Sequence, residues 1–289
     1  MTARPRGGYD SPYTRAPIDL AIVAIIPARF GSTRLPGKPL SDIHGKTMIE
    51  RVWERACAAS LPERVLVATD DERIAAAVRR FGGEVVMTSS HHSTGTDRLA
   101  EAVRATEADI VVNVQGDEPM LDPAGIDAAA APLLADPDLP MATLSLPLTE
   151  LEEMLSPSVV KVVTDARGDA LYFSRSPIPH VRTPGGDLED AARAALAKGL
   201  ARKHVGLYAY RRAALLRFAA LPPAALELAE GLEQLRALHH GMRIRVVAVD
   251  GPGGVAVDTL EDLERVRALL HPSAVNPRKE SGCRPSTSS

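Results

Sequence analysis

The chain has 289 residues, of which 45% are hydrophobic and 3% aromatic, and its formal net charge is −3. This charge gives no general attraction to nucleic acid or to an anionic membrane, so phosphate binding must come from cations placed close together. With so few aromatic side chains, the core must consist of Val, Ile, Leu and Ala, which is typical of a parallel sheet covered by helices.

The predicted elements alternate between strands and helices without a long linker, which favours one large α/β domain. The predicted strands are, in chain order, 21–26, 64–69, 84–88, 109–114, 141–146, 159–165, 169–173, 205–210 and 243–249. The predicted helices are 47–59, 71–81, 97–105, 189–198, 226–240 and 259–270. The first elements form a βαβαβ unit, which implies right-handed crossovers and a sheet that binds ligands at the carboxyl ends of its strands. The short turn at 165–169 predicts a hairpin, which makes the sheet mixed.

The ends of the chain and its two cysteines carry no sign of a special site. Residues 1–19 and 272–289 lack apolar periodicity, which predicts flexible tails around a folded domain at 20–271. Cys57 and Cys283 are too few for a disulfide framework, and neither has a second Cys or His at metal-ligand spacing. We find no signal-peptide core and no apolar run of roughly 20 residues, so we expect a cytoplasmic protein without a membrane partner.

The loop after the first strand is the most informative segment. Residues 25–40 read IIPARFGSTRLPGKPL, and they place Arg29, Ser32, Arg34 and Lys38 within ten positions of a proline-stiffened loop. Backbone N–H groups, a hydroxyl and several cations at a strand end can converge on one polyphosphate. The Walker A motif and the G-x-G-x-x-G fingerprint are both absent, so this is neither of the two common phosphate-binding loops.

Two aspartates are candidates for a metal site. Asp117 follows a buried strand and a glycine, and Asp258 precedes the last predicted helix. Carboxylates at strand ends suit Mg²⁺, which prefers hard oxygen ligands and keeps its other positions for water and phosphate. Each aspartate also has a purely structural interpretation, as a turn residue for Asp117 and as a helix N-cap, shared with Thr259, for Asp258.

Polar residues in other segments are weaker signals individually. Thr94 or Thr96 suits the N-cap of the helix that contains Arg98. Gln115 carries both donors and an acceptor, as a group that reads a pyrimidine edge requires.

The later half of the chain should bind a second substrate. His204 and Tyr208 fall on one side of a strand by the period of two, whereas Glu233 and Gln234 would ordinarily lie on a helix surface. Arg175 suits a carboxylate, and the other four side chains suit a polyhydroxylated molecule.

Three segments together resemble one family. The loop at 25–40, the sequence VNVQGDEP at 112–119 and the sequence YFSR at 172–175 occur in the order found in 3-deoxy-manno-octulosonate (KDO) cytidylyltransferases. The resemblance covers roughly 20–271 and implies a Rossmann-like, three-layer nucleotidyltransferase fold of the glycosyltransferase-A-like type, with a mixed, mostly parallel sheet. It further implies a homodimer that uses Mg²⁺, CTP and KDO to make CMP-KDO and pyrophosphate for lipopolysaccharide biosynthesis.

The resemblance also implies a role for individual residues. It places CTP on the loop residues and on the cytidine-side group, Mg²⁺ on the two aspartates, and KDO on the later residues. The nucleotide-binding set is Arg29, Ser32, Arg34, Lys38, Thr94, Arg98 and Gln115. The KDO-binding set is Arg175, His204, Tyr208, Glu233 and Gln234. The catalytic set is Lys38, Arg29, Asp117 and Asp258, of which Asp117 and Asp258 hold the metal.

Three alternatives remain open from the sequence. A CMP-sialic acid synthetase shares the Pro-Ala-Arg opening, but typically has Gly-Lys-Asn where this chain has Gly37, Lys38 and Pro39. A related enzyme that transfers CMP to a phosphonate would keep the same nucleotide loop. A non-catalytic nucleotide-binding regulator is the third alternative, and the presence of Lys38, Asp117 and Asp258 argues against it.

Overall fold

The computed structural model describes residues 20–31, 34–92, 94–251 and 253–271. Its strands are β1 (Ile22–Ala28), β2 (Asp42–Ile43), β3 (Lys46–Thr47), β4 (Arg64–Thr69), β5 (Glu84–Met87), β6 (Ile110–Asn113), β7 (Met141–Pro147), β8 (Lys161–Thr164), β9 (Ala170–Ser174), β10 (Arg202–Arg211) and β11 (Ile244–Ala248). Its helices are α1 (Met48–Cys57), α2 (Glu72–Arg80), α3 (Gly95–Arg104), α4 (Pro123–Ala135), α5 (Leu151–Leu155), α6 (Leu188–Ala197), α7 (Arg212–Ala220), α8 (Ala225–Glu230), α9 (Gln234–His239) and α10 (Leu260–Leu269). The predicted tails, which include Cys283, and the predicted nucleotide ligand Ser32 lie outside the described residues.

Nine of the described strands form a mixed, mostly parallel sheet, as the sequence predicts, and β2 and β3 form a separate antiparallel pair. Seven strands follow the order β11-β7-β10-β6-β1-β4-β5, and β8 joins this sheet through β10 while pairing with β9. Neighbours β1 and β4, β1 and β6, β4 and β5, and β11 and β7 are parallel. The predicted hairpin is present as β8 and β9. However, β10, which lies between β6 and β7 in the middle of the sheet, is antiparallel to both of them.

Helices cover both faces of the sheet because the central strands are apolar on both sides. In β1, Ile22, Ala24 and Ile26 pack with helices α1, α2 and α4. The alternate residues Val23 and Ile25 pack with α3, α7 and α9 on the opposite face. This alternation gives three layers, and it leaves the carboxyl ends of β1, β4 and β6 free to build a site at one edge.

Most predicted elements are confirmed within a few residues, but one helix is not. The predicted helix at 226–240 is two short helices, α8 and α9, because Gly231 ends α8 in the left-handed conformation at φ +62°. Glu233 and Gln234 consequently lie at the start of α9 instead of the middle of a helix. The sequence analysis also missed helices α4, α5 and α7.

None of the helices in the described part of the chain is both long enough and apolar enough to cross a membrane. The longest of these helices, α4, has 13 residues and packs against the sheet.

A buried lysine ties together the two ends of the β8–β9 hairpin. Lys161 is fully buried, and burial lowers the pKa of its ammonium. Its Nζ donates to the carbonyl oxygens of Ser156 at 2.8 Å, Val159 at 2.6 Å and Arg175 at 2.6 Å. The lysine therefore supplies the donors for three backbone carbonyls at the point where the hairpin leaves the sheet.

We expect Lys161→Met to lower the free energy of unfolding by about 3 kcal/mol, because the variant removes the donor from three carbonyls. Urea denaturation measures this change. The matched control is Lys203→Met on the neighbouring strand, whose Nζ meets Glu153 Oε1 at 2.6 Å on a partly exposed surface. Loss of that surface pair should change stability by about 1 kcal/mol or less. Equal effects of the two variants would contradict the assigned role of Lys161.

Candidate functional site

A cavity of about 390 Å³ lies at the carboxyl ends of β1 and β6, and we call it the larger cavity. All the described members of the predicted nucleotide-binding set line it, and both predicted metal ligands do so as well. These residues are Arg29, Arg34, Lys38, Thr94, Arg98, Gln115, Asp117 and Asp258. The structure therefore brings together residues that come from four separate segments of the chain.

Lys38 lies between the two aspartates. Its Nζ is 2.8 Å from Asp117 Oδ2 and 3.2 Å from Asp258 Oδ1, and its side chain is only 14% exposed. Arg34 adds a second cation, with an Nη2 atom 3.0 Å from Asp258 Oδ1. Because one ammonium contacts both carboxylates, a single cation of another kind can also contact both.

A close backbone approach brings Asp117 to this position. A Cβ atom at Gly116 would lie 2.8 Å from the carbonyl oxygen of Pro27, so only glycine fits there without displacing β1. The Val257 N–H donates to the Asp117 carbonyl at 2.9 Å, which ties the segment before α10 to the same turn. Asp258 is therefore free to face Lys38, while the neighbouring Thr259 caps α10 with Asp262.

An aromatic contact outside the larger cavity holds the loop at 25–40 in position. The Phe30 ring packs against Gly37 on one side, and the guanidinium carbon of Arg73 lies 3.3 Å from the ring centroid. The Gly37 N–H also donates to the Phe30 carbonyl at 3.1 Å. Arg73 is itself paired with Asp71 at the start of α2, so the loop position depends on that helix.

Arg98 is a buried cation whose guanidinium contacts two polar side chains of the protein. It is 3% exposed, its Nη2 lies 3.0 Å from Asp70 Oδ2, and its Nη1 donates to Thr88 Oγ1. Thr94 is the N-cap of α3, as its hydroxyl accepts from the Asp97 N–H at 3.1 Å. The N-terminus of α3 therefore adds its positive dipole end to the charge of Arg98 at the cavity.

A smaller cavity of about 100 Å³ adjoins the larger one, because Gln115 lines both. Of the predicted KDO-binding set, Tyr208, Glu233 and Gln234 line this smaller cavity. Glu233 Oε2 accepts a hydrogen bond from Thr96 Oγ1 at 2.6 Å, and burial raises the pKa of the Glu233 carboxyl. Gln115 Nε2 donates to the Gly206 carbonyl at 2.9 Å, which fixes the orientation of the shared amide.

The other two members of the predicted KDO-binding set lie apart. His204 packs edge-on against Phe173, with its ring 5.4 Å from that of Tyr208 and its Nε2 2.9 Å from Thr143 Oγ1. Burial lowers the pKa of His204 to about 3, so the imidazole is neutral near pH 7. Arg175 donates from Nε to the Glu230 carbonyl and from Nη1 to the Pro157 carbonyl. Neither residue is among the described residues that line the two cavities, and their contact with a sugar stays a prediction.

Several residues that build these cavities were not predicted from the sequence to do so. Asp70 and Thr88 hold Arg98, whereas Thr96 and Asn113 line the smaller cavity. Asp70, Thr88 and Asn113 stand at the carboxyl ends of β4, β5 and β6. That position is the signal that could have identified them, since it is where ligands bind in such sheets.

The donor set for a metal is small. In the described ranges, no group of three or more His, Cys, Asp and Glu side chains is placed to hold a metal ion. Asp117 and Asp258 nevertheless fit Mg²⁺, because Mg²⁺ is commonly held by one or two carboxylates and completed by substrate phosphates and water.

We expect Asp70→Asn to raise the KM for CTP about tenfold with little loss of stability, because Arg98 would lose the anion that orients it. Steady-state kinetics with CTP as the varied substrate measures the effect. The matched control is Asp187→Asn, since Asp187 caps α6 and does not line the larger cavity, and asparagine remains a good N-cap. An unchanged KM in Asp70→Asn would show that Arg98 needs no such support.

Comparison with known proteins identifies relatives of the whole folded region. A family model described as cytidylyltransferase matches residues 23–244. The 3-deoxy-manno-octulosonate cytidylyltransferase of Geobacter sulfurreducens is 58% identical over 249 residues, which are 86% of this chain and 99% of that protein. The enzyme of the same name from Geobacter metallireducens is 57% identical over 247 residues, which cover 86% and 96% of the two chains.

Solved structures agree with these relatives. The structure of a CMP:2-keto-3-deoxy-manno-octonic acid synthetase complexed with CTP is 47% identical to this chain, with a TM-score of 0.78 over 86% of this chain and 98% of that one. A 4-diphosphocytidyl-2C-methyl-D-erythritol synthase from Anaerococcus prevotii is only 12% identical, with a TM-score of 0.56, and it shares the fold alone. From the family model, the identity over most of the chain and the shared fold, we conclude that this chain belongs to the 3-deoxy-manno-octulosonate cytidylyltransferase family.

Proposed function

We propose that the protein transfers CMP from CTP to KDO and releases pyrophosphate. The observation that carries the proposal is the pair of adjoining cavities, one rich in cations and the other lined by hydrogen-bonding side chains. A triphosphate suits the first, and a neutral polyhydroxylated chain suits the second. The names of the relatives, and the CTP in the solved one, support the same pair of substrates.

The cations of the larger cavity would bind the triphosphate. Lys38 is a compact point charge, whereas Arg29, Arg34 and Arg98 can each donate two parallel hydrogen bonds to phosphate oxygens. Lys38 and Arg34 are paired with aspartates, so protein contacts hold them in position. Incoming phosphates would share these cations with the aspartates and therefore meet a charged site that is already organised.

The reaction requires positioning more than acid–base chemistry. The anomeric 2-hydroxyl of KDO would attack the α-phosphorus of CTP and form the new P–O bond. The bond from that phosphorus to the bridging oxygen of the β-phosphate breaks, pyrophosphate leaves, and the hydroxyl proton passes to solvent. Lys38 and the arginines would stabilise the charge on the departing pyrophosphate, and no covalent intermediate is needed.

Asp117 and Asp258 would hold Mg²⁺ beside the triphosphate. Their carboxylates already converge on one cation, Lys38, which supports this proposal. When bound, Mg²⁺ would reduce the charge repulsion that the nucleophile meets at the phosphate.

For the metal ligands, we expect Asp117→Asn and Asp258→Asn each to lower turnover about a hundredfold or more, with the fold retained. The Mg²⁺ concentration that gives half-maximal rate should rise in both. Asp122→Asn is the control, because Asp122 caps the nearby helix α4 and asparagine caps equally well. Near-normal turnover at saturating Mg²⁺ would remove the tested aspartate from the metal site.

The acceptor is tested by pyrophosphate release with a panel of KDO, sialic acid and a phosphonate. We expect kcat/KM for KDO to exceed that for the others by about a hundredfold or more, since a site built for substrate hydroxyls discriminates strongly when they are absent. Detection of CMP-KDO in the reaction mixture completes the test. Rapid pyrophosphate release with another acceptor and none with KDO would overturn the assignment of KDO as the acceptor. No release with any acceptor would favour the non-catalytic nucleotide-binding regulator.

Three further properties are proposed from the family resemblance: a cytoplasmic location, a homodimer, and a role of the product in lipopolysaccharide biosynthesis. Light scattering of the purified protein measures the oligomeric state directly.

A further inference from the structure

The side chain of Asn113 stands out in the smaller cavity. Asn113 ends β6 and pairs directly with Tyr208 on the antiparallel neighbour β10. The alternation of β6 places Asn113 on the same face as Val111, which is the face covered by α3, α7 and α9. Asn113 is 5% exposed and lines the smaller cavity together with Tyr208 and Glu233.

The carboxamide of Asn113 has an unused hydrogen-bonding group. Its Oδ1 is buried and has no hydrogen-bond partner among the described residues. Trp53 Nε1 and Arg212 Nε are also buried without a hydrogen-bond partner among the described residues, but neither residue lines the two cavities described above. A buried acceptor without a donor destabilises a protein, so this one calls for an explanation. A ligand hydroxyl in the cavity would provide it.

The charge of the cavity indicates which ligand group fits. Thr96 donates its hydroxyl proton to Glu233, so the cavity presents the Glu233 carboxylate and the Asn113 carboxamide towards its interior. No lysine or arginine lines it within the described residues. Glu233 pairs with Arg236, whose Nη2 lies 3.5 Å from its Oε1, but Arg236 is not among the lining residues. A carboxylate or phosphonate group entering this cavity would therefore meet a carboxylate and find no cation in the lining to bind it, whereas a neutral hydroxyl can donate.

We infer that Asn113 is a specificity-determining residue that hydrogen-bonds a hydroxyl on the part of the acceptor remote from its carboxylate. This inference rests on the proposed function and adds to it an orientation. The hydroxylated end of the sugar acid enters the smaller cavity, and its carboxylate stays outside that cavity. Acceptors with a second anionic group at that end are excluded by Glu233.

The test begins with Asn113→Leu, which keeps the approximate shape and removes the carboxamide. The KM for KDO should rise about tenfold or more, while the KM for CTP stays within about twofold. The control is Val23→Ala, which removes packing from the same face of the sheet on β1 and lies outside the lining of both cavities. It should lower the melting temperature through lost packing and leave the KM for KDO unchanged.

Deoxy analogues of KDO provide a readout that a merely structural role of Asn113 would not change. The wild type should use the analogue that lacks the contacted hydroxyl about tenfold less efficiently than KDO, and Asn113→Leu should use the two almost equally. If Asn113→Leu does not fold, Asn113→Ser serves in the same comparison.

The outcomes separate this inference from the proposed function. Wild-type turnover of KDO, with a variant that keeps the same KM and the same ranking of deoxy analogues, would overturn the role of Asn113 alone. No CMP-KDO from the wild type would overturn the proposed function and the inference with it.

Discussion

The contact of Lys38 with Asp117 and Asp258 is the interaction on which the rest of the site depends. The partners lie 79 and 220 residues away from the lysine in sequence, so one ammonium joins three parts of the chain. Each part is supported locally, by Phe30 and Gly37 in the loop, by Gly116 in the turn after β6, and by the cap of α10. The same three segments also pack together through Leu35, Met120 and Val257, so charges and apolar contacts jointly fix their relative positions.

The surroundings of this contact explain how so many charges can lie close together. Positive groups come from the first loop and from α3, and negative groups come from the carboxyl ends of the strands and from the segment before α10. These groups neutralise one another, as Arg98 and Asp70 do a short distance away. The smaller cavity differs in its charge, because its described lining contains one carboxylate and neutral polar groups but no cation. The two cavities therefore differ in electrostatic character, although they adjoin.

The sequence predicted most of the fold and of the larger cavity, and physical reasons separate these successes from the failures. Lys38 and Asp117 were predictable because their segments leave buried strands at the same edge of the sheet. Asp70 also leaves such a strand, but its partner Arg98 is buried in a helix that starts elsewhere, and no local pattern reveals the pair. Helix α4 was not predicted because apolar residues lie on all of its faces, so its sequence shows no amphipathic periodicity.

Other differences arise from tertiary structure. The break at Gly231 was invisible in the helical pattern of 226–240, yet it brings Glu233 to the smaller cavity. His204 was predicted to contact the sugar from its strand; the fold places its ring against Phe173 and Thr143, and its contact with a sugar stays a prediction. The unsatisfied oxygen of Asn113 is a property of the packed interior alone, because only a three-dimensional structure shows which polar atoms lack a partner.

Gln115 has a consequence for how this family can diversify. One amide, held by the Gly206 carbonyl, lies where the two cavities meet, and no other residue lines both in the described part of the chain. Substitutions among the other residues of the smaller cavity can therefore alter the accepted sugar without replacing a residue of the nucleotide side. With a single shared side chain, natural selection can treat donor and acceptor recognition as two nearly independent modules within a single domain.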